Sequence, residues 1–217
     1  MPHGELARLA ALATIKRFKP GQFLAEEGEP ADAVFNVIRG TVRLYKLLPD
    51  GRRQITGFAD AADFLGLAAG HTYAFTIEAI DSVQACTFVR TRFRSLIEDL
   101  PALEHRLLEL ASAELEAAQY QMLLLGRKSA CERVATFLCI RHKIGLRSAD
   151  PGCRTVLLPM SRTDIADYLG LTIETVSRTL TKLRKNELIT LQPHKRGVII
   201  NDLDALWALA EGCADGS

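Results

Sequence analysis

Between Ala102 and Leu125 the chain carries neither glycine nor proline, and the stretch is dense in Leu, Ala, Glu and Gln. Such residues lose little side-chain freedom in a helix, so the run reads as one long helix from Ala102 to about Lys128. It divides two segments of different texture. Before Pro101, glycines recur at 21, 28, 40, 51, 57, 66 and 70, and the chain between them is rich in β-branched and aromatic residues. After the helix the apolar residues return at the three- and four-residue spacing of shorter helices. The expected division is therefore residues 1–100 as a β domain, 101–128 as a connecting helix and 129–217 as a mainly helical domain.

Within the first segment, Val34–Ile38 and Thr41–Tyr45 are strand-like runs separated by Arg39-Gly40. Leu44–Leu48 and Gln54–Phe58 flank Pro49-Asp50-Gly51, and Asp-Gly between two such runs is a strong hairpin signal. Further strands are expected at Ala74–Ile80 and Ser82–Val89. Tight corners and short strands suit a compact antiparallel roll.

The long helix has two apolar rows. Leu108, Ala111, Leu115, Ala118, Met122 and Leu125 recur at alternating spacings of 3 and 4, an a/d seam of about two and a half heptads. Leu103, Leu107, Leu110, Ala117 and Leu124 form a second row beside it, interrupted by Glu114 and Gln121. One reading packs a single broad face onto the chain's own domains. The other gives each row its own partner, the seam lying against the same helix of a second subunit, and a helix apolar on two sides favours this homodimer.

Cys131–Ile144 is a further amphipathic helix, followed by a polar loop over Gly145–Arg154. From Leu158 onward the sequence becomes most specific. Ser161 with Asp164 three residues later has the form of a capping box. Ala166 is small where two helices cross, Gly170 permits a sharp turn, and Thr172 caps a second helix with apolar Val176, Leu180 and Leu183. Two short helices joined by a glycine-containing turn make a helix-turn-helix. Leu188–Leu191 and Val198–Ile200 then flank Gln192–Gly197, a hairpin with the basic tip Lys195-Arg196, as in the wing of a winged helix. Asn201–Ala210 reads as a closing helix anchored by Leu203, Leu206 and Trp207.

Glu174, Ser177 and Arg178 fall at i, i+3 and i+4, on one face near the start of the second helix, the end that enters the major groove in a helix-turn-helix. Arginine can donate twice to guanine, a carboxylate can accept from cytosine N4, and a hydroxyl serves either. The plainer alternative is an exposed Glu174–Arg178 ion pair worth a few tenths of a kcal/mol. Arg178, Lys182, Arg184 and Lys185 stand against Glu174 alone in Thr172–Lys185. Ser161, Arg162, Thr172, Thr175, Lys182, Lys195 and Arg196 are the candidates for DNA-backbone contact or motif support.

A β-roll, a long helix and a winged helix-turn-helix in this order resemble the Crp/Fnr family of bacterial transcription regulators over nearly the whole chain. The string from Met160 to Arg178 is especially similar to the FixK and Fnr-type branch, whose E-x-x-S-R motif is matched by Glu174, Ser177 and Arg178. The cyclic-AMP-receptor branch has an arginine just before the glutamate, where this chain has Ile173. The resemblance implies an α+β fold with a jelly roll like that of cyclic-nucleotide-binding domains. It also implies a dimer on palindromic TTGAT half-sites and contact with RNA polymerase, activating genes for low-oxygen life or nitrogen fixation. A repressor of the same fold, answering to redox state or a small molecule, is the alternative.

Cyclic-nucleotide binding in the family uses an arginine and a glutamate, yet Gln54–Val89 contains no Lys or Arg and Pro30–Ile77 no Glu. An unneutralised phosphate there would be costly. Iron–sulfur members need cysteines near the N-terminus, and the first here is Cys86. No cofactor is expected; His71 leaves haem open as a weak option. Cys86, Cys131, Cys139, Cys153 and Cys213 form no disulfide framework, and Cys131, Cys139 and His142 read as helix packing rather than zinc ligands. With one histidine in the roll, an enzyme built on a metal site is not expected.

Charge sharpens this picture. The net charge of +1 over 217 residues argues against indiscriminate coating of nucleic acid. Residues 154–200 nevertheless hold eight basic against four acidic side chains, and residues 201–217 hold four acids and no base. The basic module is offset by an acidic tail. No apolar run approaches the ~18 residues of a membrane span, and the N-terminus lacks a secretory signal's apolar core. A cytoplasmic location with no membrane partner is the expectation.

Overall fold

The computed structural model describes residues 3–67, 70–146, 154–192 and 196–212. Two compact units emerge, residues 1–118 and 119–217. The first begins with helix α1 (His3–Leu12) and strands β1 (Thr14–Phe18), β2 (Phe23–Ala25), β3 (Ala33–Arg39) and β4 (Val42–Leu47). It continues through β5 (Arg53–Ala59), β6 (Phe64–Leu65), β7 (Thr76–Ala79), β8 (Val83–Val89), α2 (Arg90–Asp99) and the start of α3 (Pro101–Arg127).

The strands form two four-stranded sheets, ordered β1-β8-β3-β6 and β2-β7-β4-β5, with antiparallel pairing throughout. Alternation along β3 decides what each sheet covers. Phe35 and Val37 face the space between the sheets with Val42, Ala59, Ile77 and Val83. Val34 faces the other way and packs with Phe88 on Phe93 of α2, flanked by Leu9 and Leu12 of α1 and by Leu107. The Pro49-Asp50-Gly51 turn joins β4 to β5 as the sequence indicates. At the Arg39-Gly40 turn only glycine fits: φ is +91°, and a Cβ would stand 2.6 Å from the Ser82 carbonyl oxygen.

The β strands expected at Ala74–Ile80 and Ser82–Val89 are found as β7 and β8. Helices α1 and α2 and strands β1, β2 and β6 go beyond what the sequence pattern indicates. Strand β1, Thr-Ile-Lys-Arg-Phe, is exposed at its first four residues, as charged edge strands are, and so lacks a two-residue apolar alternation.

The second unit contains the end of α3, then α4 (Ala130–Gly145), β9 (Thr155–Leu157), α5 (Arg162–Leu169), α6 (Ile173–Lys185), β10 (Ile189–Gln192), β11 (Gly197–Ile200) and α7 (Leu203–Ala210). Ser129 opens α4 through a capping box with Glu132. The three-stranded sheet has the order β10-β11-β9. Its β10–β11 hairpin is the one the sequence indicates, whereas β9, three residues following a polar loop, is too short for a recognisable pattern. Among the described residues no helix is long and apolar enough to cross a membrane.

Candidate nucleic-acid interface

Each helix of the helix-turn-helix is started by a side chain that satisfies free backbone N–H groups. At α5, Ser161 Oγ accepts from Asp164 N at 3.0 Å. Asp164 Oδ2 in turn accepts from Ser161 N at 2.9 Å and from Ser161 Oγ at 2.7 Å. The box is reciprocal, and Asp164 is buried. At α6, Thr172 Oγ1 accepts from Thr175 N at 3.2 Å and lies 3.1 Å from Thr175 Oγ1. Between the helices Gly170 takes the left-handed conformation, φ +60°, and its N–H donates to Ala166 O. Ala166 is buried at this junction, where a larger side chain would hold the helices apart.

Helix α6 buries Val176, Thr179, Leu180 and Leu183 and turns the opposite face to solvent. Glu174 and Arg178 are exposed on it, with Ser177 half-buried between them. A shallow groove runs along this face, lined by Ser177, Arg178, Thr181, Lys182, Lys185 and Asn186. Glu174 and Arg178 do not close on each other as an ion pair; Arg178 Nη2 donates instead to Thr175 Oγ1 at 3.4 Å. The Glu174 carboxyl is held below the usual carboxylate range, first by its own backbone N–H and then by the Thr172 hydroxyl, with Arg178 contributing last. Three polar groups of different hydrogen-bonding character thus share the capped, electropositive end of one helix.

The remaining candidates are placed as follows. Arg162 is exposed at the start of α5, Lys182 is exposed two turns into α6, and Arg196 is exposed just before β11 at φ +45°. Lys195 lies outside the described residues. In the seam of α3, Leu108, Ala111, Leu115, Ala118 and Met122 are all exposed, with Leu108 at 65%, Leu115 at 59% and Met122 at 68%. Leu125 differs: it is half-buried, with Cδ2 3.3 Å from where a Cβ on Gly170 would stand. The second row splits between the two units, Leu103 packing with Leu96 and Leu100 in the first and Leu124 buried in the second.

The thiols and the roll's charges also have definite positions. Cys139 is fully buried in α4 and its thiol is pushed up to about 12, chiefly by that burial. His142 is buried, Cys131 and Cys86 are half-buried, and His71 is exposed. Cys153 and Cys213 lie outside the described residues. Arg43 meets both carboxylate oxygens of Glu78, Nη2 donating to Oε1 at 2.5 Å and Nε to Oε2 at 3.2 Å. Arg90, immediately beyond the cation-free window of the sequence, folds back so that Nη1 donates to Ala31 O at 3.1 Å and Gly70 O at 2.9 Å. Window-by-window reading of charge missed this, because the return is tertiary.

Comparison with known proteins agrees with this anatomy. Residues 15–99 match the cyclic nucleotide-binding domain and residues 132–209 the Crp-like helix-turn-helix domain. The chain is 49% identical to the transcriptional activatory protein AadR of Rhodopseudomonas palustris, over 96% of this chain and 84% of that protein. It is 46% identical to the nitrogen fixation regulation protein FixK of Bradyrhizobium diazoefficiens, covering 86% of this chain and 78% of the relative. Among solved structures, FixK2 from Bradyrhizobium japonicum superposes with a TM-score of 0.83 at 38% identity, covering 91% of this chain and 96% of that one. The chain belongs to the Crp/Fnr family of transcription regulators.

Proposed function

We propose that the protein is a DNA-binding transcriptional activator of FixK-like type that acts as a homodimer on palindromic TTGAT half-sites. Each subunit lays the start of α6 in a major groove, with the two α6 helices about 34 Å apart, one DNA turn. Glu174, Ser177 and Arg178 read base edges. Ser161, Arg162, Thr172, Thr175, Lys182, Lys195 and Arg196 hold the backbone or support the motif. The exposed α3 seam from Leu108 to Met122 is the dimer surface, so residues 1–100, 101–128 and 129–217 divide the work into roll, dimer helix and reader. The observation that carries this reading is the face of α6, where an acid, a hydroxyl and an arginine stand together at the capped end without a mutual ion pair.

Activation, rather than repression, follows the names of the relatives: one is a transcriptional activatory protein and another regulates nitrogen fixation. Contact with RNA polymerase in the cytoplasm and control of low-oxygen or nitrogen-fixation genes go with that reading. In the roll, Arg43 is engaged by Glu78, and Gln54–Val89 supplies no cation, which supports DNA binding without a cyclic nucleotide. The test is Arg178→Ala in a binding titration. Loss of about 1–3 kcal/mol on a TTGAT palindrome, with relaxed selection at its G·C pair, is expected. An equal loss on random DNA would make Arg178 a phosphate contact.

A further inference from the structure

The end of α5 is tied to α3 by two side chains that lie off the exposed face of α6. Arg133, half-buried in the first turn of α4, spends three different nitrogens on three backbone carbonyls. Its Nη2 donates to Leu125 O in the last turns of α3, its Nε to Lys128 O at the bend after α3, and its Nη1 to Leu169 O at the end of α5, each at 2.9 Å. One turn earlier on α3, Gln121 Nε2 donates to Tyr168 O at 2.9 Å. A Cβ on Gly170 would stand 3.3 Å from Leu125 Cδ2 and 3.5 Å from Arg133 Nη1, so the turn glycine itself lies against both.

The chemistry selects arginine at this point. Carbonyls at helix C-termini have no partner within the helix and carry the negative end of the dipole. Here the ends of two helices converge on one cation. Only a planar guanidinium has enough N–H groups, in a fixed fork, to serve three acceptors lying in different directions; an ammonium is a single point. Helix α6 begins at Ile173, four residues after the clamped Leu169 carbonyl, and Gly170 to Thr172 is all that intervenes.

We infer that Arg133 and Gln121 form a latch that fixes the reading end of α6 relative to the last turns of α3, and thereby sets the half-site spacing the dimer accepts. This rests on the proposed dimer and its DNA reading. Two heads held rigidly at one separation gain affinity on a matched palindrome, because the second contact becomes intramolecular. Loosening the latch removes that gain and leaves each head's own affinity intact. Both are positioning residues: neither lies on the exposed face of α6.

The experiment measures fluorescence anisotropy with three duplexes: a single TTGAT half-site, a palindrome with half-sites centred about one turn apart, and the same palindrome with a lengthened spacer. Arg133→Lys keeps the charge and loses the fork; Gln121→Ala, at a half-buried site, supplies a second variant should the first fail to fold. The expected result is an unchanged half-site affinity, a loss of about tenfold or more on the matched palindrome for Arg133→Lys, and a smaller one for Gln121→Ala. The matched-to-lengthened preference should narrow in both. Folded variants that keep the wild-type palindrome-to-half-site ratio would overturn the latch, as would equal losses on the matched and the lengthened palindrome. Wild-type protein without any preference for the palindrome would overturn the dimer reading instead.

Discussion

Leu115 lies at the middle of the exposed row Leu108, Leu115 and Met122, and replacing it by glutamate tests the proposed dimer most directly. The three side chains are 65%, 59% and 68% exposed, an unusual state for apolar residues spaced seven apart along one helix. Between them stand Ala111 and Ala118, small enough to let a second helix approach closely. Fully burying a Leu or Met side chain is worth ~1.5–3 kcal/mol, so each of these has ~1–2 kcal/mol still to gain on a partner. Leu115→Glu removes that from both subunits, ~2–4 kcal/mol in all, before any repulsion between two carboxylates facing each other across the axis. At tenfold per ~1.4 kcal/mol, the dimer Kd should rise about 30- to 700-fold. Sedimentation equilibrium over a dilution series measures this shift, with far-UV circular dichroism to establish that the helices persist. A Leu115→Glu protein that stays folded and associates with the wild-type constant would refute the assignment of this face.

Three further outcomes follow from the geometry. Glu78→Ala strips the carboxylate from Arg43, whose side chain is only 18% exposed; removing one partner of a buried pair should cost ~3 kcal/mol in denaturant unfolding, and a loss below ~1 kcal/mol would show the pair to be dispensable. Ser161→Ala breaks the reciprocal box that starts α5, and its cost should be about 1 kcal/mol in the unfolding of the second unit. The Glu174 carboxyl is held low by its own N–H and the Thr172 hydroxyl. A depressed folded-state pKa adds stability above the unfolded pKa and gives it up as pH falls through the folded one. An NMR titration should therefore find Glu174 ionised across the neutral range and titrating below an ordinary glutamate, and Thr172→Val should move its midpoint upward. A Thr172→Val midpoint equal to that of the wild type would remove the hydroxyl from the explanation.

The helix-turn-helix was readable from sequence because its signals are local. Ser161, Gly170 and Thr172 act on backbone groups a few residues away, and the apolar spacing of Val176, Leu180 and Leu183 needs no partner to be recognised. The β4–β5 hairpin was readable for the same reason. What could not be read is tertiary. Strand β9 exists because Val156 pairs with Val198, more than forty residues on. The helical α2 carries its apolar Phe93 and Leu96 among five charged residues, and its burial is set by the sheet beneath it. Arg90 and Arg133 take their roles from backbone carbonyls, which every residue possesses, so no residue pattern announces them.

Those two arginines also change what the charge count means. In the second unit, Lys128 Nζ donates to Tyr120 Oη at 2.8 Å, Thr136 Oγ1 at 3.1 Å and Ala210 O at 2.9 Å, tying the bend after α3 to the end of α7. Arg133 serves the ends of α3 and α5, and Arg154 Nη1 donates to Asn201 O at 3.0 Å. Lys128 and Arg133, both half-buried, serve helix ends, while Arg154 reaches a loop carbonyl from the surface. The cations left exposed on α5, on α6 and just before β11, namely Arg162, Arg178, Lys182, Arg184, Lys185 and Arg196, belong to the reading module. A sum over sequence counts both kinds alike and sets 27 basic against 26 acidic side chains. Separating them by what each nitrogen touches leaves a small basic surface around α6, and it is the placement of that surface, not the total charge, that suits a reader of particular DNA sites over a protein that coats any phosphate backbone.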